Sequence, residues 1–306
     1  MRKAIVGASL ALVLTAAGSP APALNLFGHG KPHQAAPAAA AQGSDIAAAV
    51  RAALDERRYV DASDLLTKAE VTNIKSAQLT CLHGELFLAR GDFADALTAF
   101  RSVANDPSER AKALEGEGLA FSMTGKSDEA LAALSEATRL DKTLWRAWNG
   151  LGREYDMRRD WKKSQAAYAA ALAAPGGDAA IVLNNRGYSH LLQRQTTEAA
   201  ADFVAALAKD PALTAARTNL RITLAIEGQY ARASVTGVGD DRAAVLNNVG
   251  LAAAIRGDYI QADKLLGEAI EAKGQFYARA SDNLALSKEL EARAGDIPPT
   301  PDVKRR

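Results

Sequence analysis

The residues that could do chemistry are few and do not form a catalytic or metal-binding arrangement. Gly125-Lys126-Ser127 has the sequence of the end of a phosphate-binding loop, but the segment lacks the first glycine and a preceding strand. His29 and His33 have a spacing that suits a metal ion, yet they lack a third ligand. We therefore predict that the protein is not an enzyme, has no catalytic residues, and uses no cofactor and no metal.

The one cysteine and the other two histidines are expected to have packing roles. Cys81 lies in an amphipathic segment, and as the single cysteine it excludes an intramolecular disulfide. His83 and His190 stand in different segments, without a nucleophile or carboxylate arranged beside them. These residues are carried by structural elements that recur along the chain.

Those elements form a repeat of about 34 residues that returns eight times. Apolar residues recur at steps of three and four, which predicts two amphipathic helices per repeat. Glycines end the first helix of several repeats, as at Gly91 and Gly257. Small residues occupy the middle of the first helices at Gly84, Gly118, Gly152, Gly187 and Gly250. A mid-helix glycine costs about 1 kcal/mol against alanine, so we expect close helix packing there.

The second helices carry the complementary pattern. Alanines recur at Ala62, Ala96, Ala130, Ala199, Ala233 and Ala262. Large apolar residues that should fill the space between neighbouring repeats are Phe100, Leu134, Tyr168, Phe203 and Leu266. The pattern predicts an all-α solenoid.

These residues resemble the tetratricopeptide repeat (TPR) family. Residues 148–155, WNGLGREY, match the first half of the family pattern, and the resemblance covers residues 45–294. It implies a TPR-type α-solenoid, a right-handed superhelix of antiparallel helix pairs, that binds a protein or peptide along a concave groove lined by the first helices.

Asparagines recur in the first helices of the C-terminal half. Asn185, Asn219, Asn248 and Asn283 share a repeat position, and Asn184 and Asn247 precede two of them. Asparagine is a poor helix former, and its amide can both donate to and accept from an extended peptide. Two explanations remain open: the amides bind a partner segment, or they brace neighbouring helices.

Apolar residues that follow these asparagines are further candidates for the partner-binding groove: Tyr188, Leu192, Ile222, Ile226, Leu251 and Ile255. Some of them are expected to pack against adjacent helices instead. The N-terminal half is more charged, with Glu85, Lys112, Glu115, Arg146 and Arg153. We therefore predict the principal groove in the C-terminal half. The fifth repeat is irregular near residues 235–241, which would create a hinge or a locally repaired deletion.

The two ends differ from the repeats. Residues 1–23 have the layout of a cleavable signal peptide, residues 24–44 of a flexible linker, and residues 295–306 of a disordered tail. This predicts a periplasmic protein. The 37 basic and 36 acidic residues give a net charge of +1, which argues against nucleic acid as a partner.

The C-terminal half also resembles the TPR component of the tight-adherence (Flp) pilus machinery, in the segments 183–193, 218–230, 246–272 and 278–285. This implies a scaffold that helps a pilus secretin assemble. Ser19 stands where a lipidated cysteine would be expected, so membrane association would depend on a partner. The alternative is a periplasmic TPR adaptor for a cell-wall or outer-membrane biogenesis enzyme complex.

Overall fold

Fifteen α-helices and no strand make up the part of the chain that the computed structural model describes, residues 43–237, 239–274 and 277–295. In chain order the helices are α1 Gly43–Asp55, α2 Tyr59–Val71, α3 Ala77–Arg90, α4 Phe93–Val103, α5 Arg110–Met123, α6 Ser127–Leu140, α7 Trp145–Met157, α8 Trp161–Ala173, α9 Ala179–Leu192, α10 Thr196–Lys209, α11 Thr214–Ile226, α12 Tyr230–Ala233, α13 Arg242–Arg256, α14 Tyr259–Lys273 and α15 Ala278–Gly295. The odd-numbered helices are the first helices of their repeats and the even-numbered ones the second. The predicted all-α, TPR-type fold is confirmed.

The described residues divide into two compact units. The N-terminal unit comprises residues 43–189 and 208–213, and the C-terminal unit comprises residues 190–207 and 214–295. Within each unit a first helix packs on its own second helix and on the next first helix. The connections inside a pair are short, so the paired helices run antiparallel.

Large residues of the second helices pack against glycines of their own repeat, and Phe100 and Leu134 also reach Gly116 and Gly150 of the next repeat, which is the space that the sequence predicts for them. A Cβ built on Gly118 would lie 2.5 Å from Leu134 Cγ, and one on Gly152 would lie 2.6 Å from a Tyr168 ring carbon. The five predicted space-filling side chains and the six recurring alanines are all fully buried. The backbone spacing of each pair therefore depends on these contacts.

The turn between paired helices requires a left-handed backbone residue. Gly91 and Gly257 occupy it with φ of +89° and +91°. In other repeats an arginine takes the conformation, as at Arg57 and Arg159 with φ of +58° and +57°. The turn geometry is thus maintained where glycine is absent, at the cost of some backbone strain.

The predicted signal peptide and most of the predicted linker and tail lie outside the described residues, as do His29, His33 and Ser19. Helix α1 begins at Gly43, two residues before the predicted start of the repeats at residue 45, and helix α15 extends to Gly295. Among the described residues, no helix is long and apolar enough to cross a membrane.

Candidate partner-binding surface

In the N-terminal unit, asparagine amides link neighbouring first helices. Asn185 on α9 donates from Nδ2 to Oδ1 of Asn149 on α7 over 3.1 Å. Asn184 Nδ2 in turn donates to Asn185 Oδ1 over 3.3 Å. Asn149 and Asn184 are buried, whereas Asn185 is half-buried. The amides form a hydrogen-bonded row whose outer member is Asn185.

The C-terminal unit contains a similar row. Asn283 on α15 donates from Nδ2 to Oδ1 of Asn247 on α13 over 2.8 Å. Asn247 Nδ2 donates to Asn248 Oδ1 over 3.2 Å. Asn247 and Asn283 are buried, and Asn248 is half-buried. An amide thus joins two consecutive first helices in both units.

We call the buried members Asn149, Asn184, Asn247 and Asn283 the inner amides, and Asn185 and Asn248 the outer amides. The bonds from Asn185 to Asn149 and from Asn283 to Asn247 brace the stack, which is the second of the two explanations that the sequence left open. The outer amides keep capacity for further hydrogen bonds. Asn185 has one N–H and one lone pair beyond its two bonds, and Asn248 Nδ2 donates to none of the described residues.

Asn219 and Asn149 are both buried. Asn219 is 5% exposed, so its amide is not part of an open surface. Asn149 was missed by the sequence prediction, although a signal was present. It stands three residues before Gly152, as Asn184 stands before Gly187 and Asn247 before Gly250.

Of the six apolar residues predicted to line the groove, three are buried and three are half-buried. Ile222, Leu251 and Ile255 are 1%, 0% and 8% exposed, so they pack in the core and offer no floor to a groove. The physical reason is that each apolar stripe also has to cover the neighbouring helices. Tyr188, Leu192 and Ile226 are half-buried and keep surface that a partner can contact.

Tyr188 lies next to a buried polar network of the N-terminal unit. Burial, together with the charge of Asp156, raises the pKa of Tyr188 to about 12. Asp156 accepts hydrogen bonds from Tyr168 Oη at 2.8 Å, from Ser189 Oγ at 2.6 Å and from Ser164 Oγ. Burial also raises the pKa of Asp156. Three hydroxyl donors satisfy this carboxylate, and they join α7 to α8 and α9.

The charged residues of the N-terminal unit converge on Glu85. Arg51 Nη1 and Nη2 donate to its two carboxylate oxygens at 2.6 and 2.5 Å, and Arg146 Nη1 donates over 3.3 Å. Burial alone would raise the pKa of Glu85, but the hydrogen bonds and charge of Arg51, with a further contribution from Arg146, lower it below its ordinary value. Asp55 lies 3.9 Å from both arginines. The result is a compact ion-pair network across α1, α3 and α7.

Glu115 lies on α5, and its surroundings keep it protonated to a higher pH than usual. Burial raises its pKa to about 7, a shift that the nearby Arg146 partly offsets. Its Oε1 accepts the backbone N–H of Ala147 over 2.9 Å. Arg153 Nη1 is buried without a hydrogen-bond partner among the described residues, and burial lowers the pKa of Arg153. The N-terminal half is charged, as the sequence predicts, and some of its charged groups, such as Glu115 and Arg153, are partly removed from water.

A cavity of about 260 Å³ opens between α1, α3 and the start of α5. Its lining includes Arg51, Cys81, Glu85, Glu109 and Lys112. The sequence prediction placed the principal groove in the C-terminal half and did not include this cavity. Its walls come from three repeats, so spacing within one repeat gives no signal for it.

The remaining chemistry-bearing residues occupy packing or surface positions. Cys81 is 2% exposed, and burial raises the pKa of its thiol. His83 stacks on Phe87 with ring centroids 4.4 Å apart, and His190 Nδ1 lies 2.7 Å from Gln195 Oε1. Gly125 and Lys126 form the turn between α5 and α6. Across the described residues, no group of three or more His, Cys, Asp or Glu side chains is placed to hold a metal ion.

Comparison with known proteins supports the repeat class. Residues 81–144 and 145–214 each match the tetratricopeptide repeat family model. No curated protein matches the sequence. The match to the family model covers the segment that contains α4 to α10 and most of α3.

Three solved structures are similar in fold. A thermophilic TPR protein of Thermus thermophilus has a TM-score of 0.51 at 18% identity, over 62% of this chain and 98% of that one. A chain of the APC/C hetero-tetramer Cut9–Hcn1 has a TM-score of 0.56 at 15% identity, over 83% of this chain and 50% of that one. A TPR protein of Parabacteroides merdae has a TM-score of 0.50 at 14% identity, over 80% of this chain and 98% of that one. At these identities the likeness concerns the fold.

Proposed function

We propose that the protein is a non-enzymatic scaffold that binds a segment of a protein partner along the exposed parts of its first helices. The observation that carries this proposal is the division of the asparagine rows. The buried amides are used within the helix stack, while the half-buried Asn185 and Asn248 keep unused hydrogen-bonding capacity, although Asn185 also joins α9 to α7. An extended backbone offers the matching donors and acceptors. TPR folds are in general scaffolds for protein–protein interaction.

Each unit contributes its own candidate surface. In the N-terminal unit it consists of Asn185 and Tyr188, and in the C-terminal unit of Leu192, Ile226 and Asn248. Tyr188 follows Asn185 by three residues on α9, so an apolar ring and an amide share one helix face, which suits a partner segment that has both backbone and side chains to contact. The buried residues Ile222, Leu251 and Ile255 act indirectly, because they hold the first helices in place.

The proposed setting is the periplasm, with the tight-adherence pilus or its secretin as the assembly served. This proposal is supported by the layout of residues 1–23 and by the resemblance of residues 183–285 to the TPR component of that machinery. In this setting the proposed route to the membrane is through the partner.

The test is a binding titration between the purified protein and the pilus secretin of the same organism. The double variant Asn185→Ala, Asn248→Ala should bind roughly thirtyfold more weakly, because two hydrogen bonds of about 1 kcal/mol each are lost. The matched control Asn105→Ala changes an exposed asparagine between α4 and α5 and should bind as the native protein does. Absence of secretin binding, together with binding to a cell-wall or outer-membrane biogenesis enzyme, would favour the adaptor alternative.

A further inference from the structure

The cavity between α1, α3 and α5 has the size and lining of a site for one side chain. Its volume of about 260 Å³ lies just below the range of about 300–1,000 Å³ that is typical of small-molecule sites. Ala47, Cys81 and Leu82 give it apolar walls, and all three are buried. A long, thin side chain with a polar end fits such walls.

The two carboxylates that line the cavity differ in how closely a cation pairs with them. Arg51 and Glu85 neutralise each other through two hydrogen bonds of 2.6 and 2.5 Å. Glu109, at the start of α5, is 7% exposed, yet its carboxylate accepts no hydrogen bond from the described residues. Lys112 Nζ is 3.9 Å from Glu109 Oε2, beyond hydrogen-bond distance, and the Lys112 side chain is 44% exposed. Among the described residues, the carboxylate of Glu109 is therefore held only by the ion pair with Lys112 and is open to a closer donor.

Glu109 also faces the same space as the other lining groups. Burial is the main cause of the raised pKa of the Cys81 thiol. The negative charges of Glu85 and Glu109 raise this pKa further. Both carboxylates thus act on a thiol in the wall of the cavity. Glu109 is the N-cap of α5, but its side chain makes no capping hydrogen bond.

We propose that this cavity binds a lysine side chain of the protein partner, with its ammonium on Glu109 and its methylene stem against Ala47, Cys81 and Leu82. The proposal rests on the proposed function, since it names one side chain of the bound segment, although the cavity is separate from the outer amides. A lysine suits the cavity because its ammonium group is compact and has three N–H donors, and because its methylene stem is apolar. The planar fork of an arginine needs matched acceptors, and Glu85 already holds Arg51 in that way.

The experiment is an NMR titration of the full chain with capped pentapeptides, in which lysine, norleucine or arginine is flanked by alanines. The methyl signals of Ala47 and Leu82 report on the cavity. The lysine peptide should shift them and should bind roughly tenfold more tightly than the norleucine peptide, which lacks the charge. Glu109→Gln should remove this preference, and the exposed control Glu129→Gln on α6 should keep it.

A second variant keeps the test decisive if Glu109→Gln folds poorly. Lys112→Met removes the neighbouring cation, so the lysine peptide should bind more tightly, whereas a carboxylate ligand held by Lys112 would bind more weakly. Equal binding of the lysine and norleucine peptides, no shift of Ala47 and Leu82, or tighter binding of the arginine peptide would each overturn the proposal. If Glu109→Gln leaves secretin binding intact while the variant of the outer amides loses it, the cavity proposal fails and the proposed function stands.

Discussion

Arg221 donates a hydrogen bond from Nη2 to Asp240 Oδ2 over 2.6 Å, and the same nitrogen donates to the backbone oxygen of Val235 over 2.8 Å. Other first helices carry a glycine at this repeat position, as at Gly118 and Gly250, facing a large residue of the second helix. In the fifth repeat the second helix, α12, has four residues, Tyr230–Ala233. The Arg221 side chain instead holds the segment that follows α12, through Val235 and Asp240.

The first prediction concerns this pair. The Arg221 and Asp240 side chains are 14% and 9% exposed, so their interaction is partly desolvated. Arg221→Ala should lower the free energy of unfolding by about 2 kcal/mol, which urea denaturation measures. A double-mutant cycle with Asp240→Asn should give a coupling energy above about 0.5 kcal/mol. The exposed control Lys264→Ala should change stability little, and additive effects of Arg221→Ala and Asp240→Asn would contradict the assignment.

The second prediction concerns glycines in the helices. Gly118→Leu should destabilise the protein by about 1–3 kcal/mol or more, because Leu134 already fills the space beside Gly118. Gly267→Leu is the matched control, since a Cβ there meets nothing within 4 Å and helix α14 should gain up to about 1 kcal/mol. Thermal unfolding of both variants separates the two cases. Similar melting temperatures for the two would show that the interlocked spacing is unimportant.

The third prediction distinguishes inner from outer amides. Asn283→Ala leaves the buried Oδ1 of Asn247 without its donor, which should cost about 1–3 kcal/mol of stability. Asn248→Ala removes a half-buried side chain and should cost less than about 1 kcal/mol. Chemical denaturation of the two single variants gives both values. If Asn248→Ala proves the more damaging, the amide at position 248 has a bracing role as well.

The fourth prediction concerns pH. Glu115 has a pKa of about 7 in the folded protein, above its ordinary value of 4.5, so the folded state holds a proton that the unfolded state releases. Its contribution to stability is fully present below pH 4.5 and is lost as the pH rises through 7. Between about pH 5 and 8 the native protein should lose about 2 kcal/mol more stability than Glu115→Gln does. Denaturation at a series of pH values measures this, with Glu129→Gln as the control; parallel curves for native protein and Glu115→Gln would contradict it.

The fold was largely predictable because the small residue and its large partner recur at a constant separation. Gly118 with Leu134, Gly152 with Tyr168, and the shortened α12 can all be recognised by spacing. Such local pairs determine helix packing within a repeat, and neighbouring repeats then follow.

The candidate site was less predictable because burial depends on how successive repeats stack. Leu251 stands three residues after Asn248 and shares part of its helix face, yet Leu251 is fully buried while Asn248 is half-buried. Glu109 follows a Pro-Ser sequence that is typical of a solvated turn, but packing against α1 and α3 buries it. A single sequence contains the period of the helices but not the angle at which they meet.

Photo-crosslinking in intact cells can show whether a partner segment lies on the exposed parts of the first helices. A photoreactive amino acid is placed at Tyr188 or Asn248, and at Ile260 on the second helix α14 as the control, which is 81% exposed. We predict that positions 188 and 248 capture the same pilus or secretin component and that position 260 does not. Equal capture from all three positions, or capture from Ile260 alone, would contradict the account.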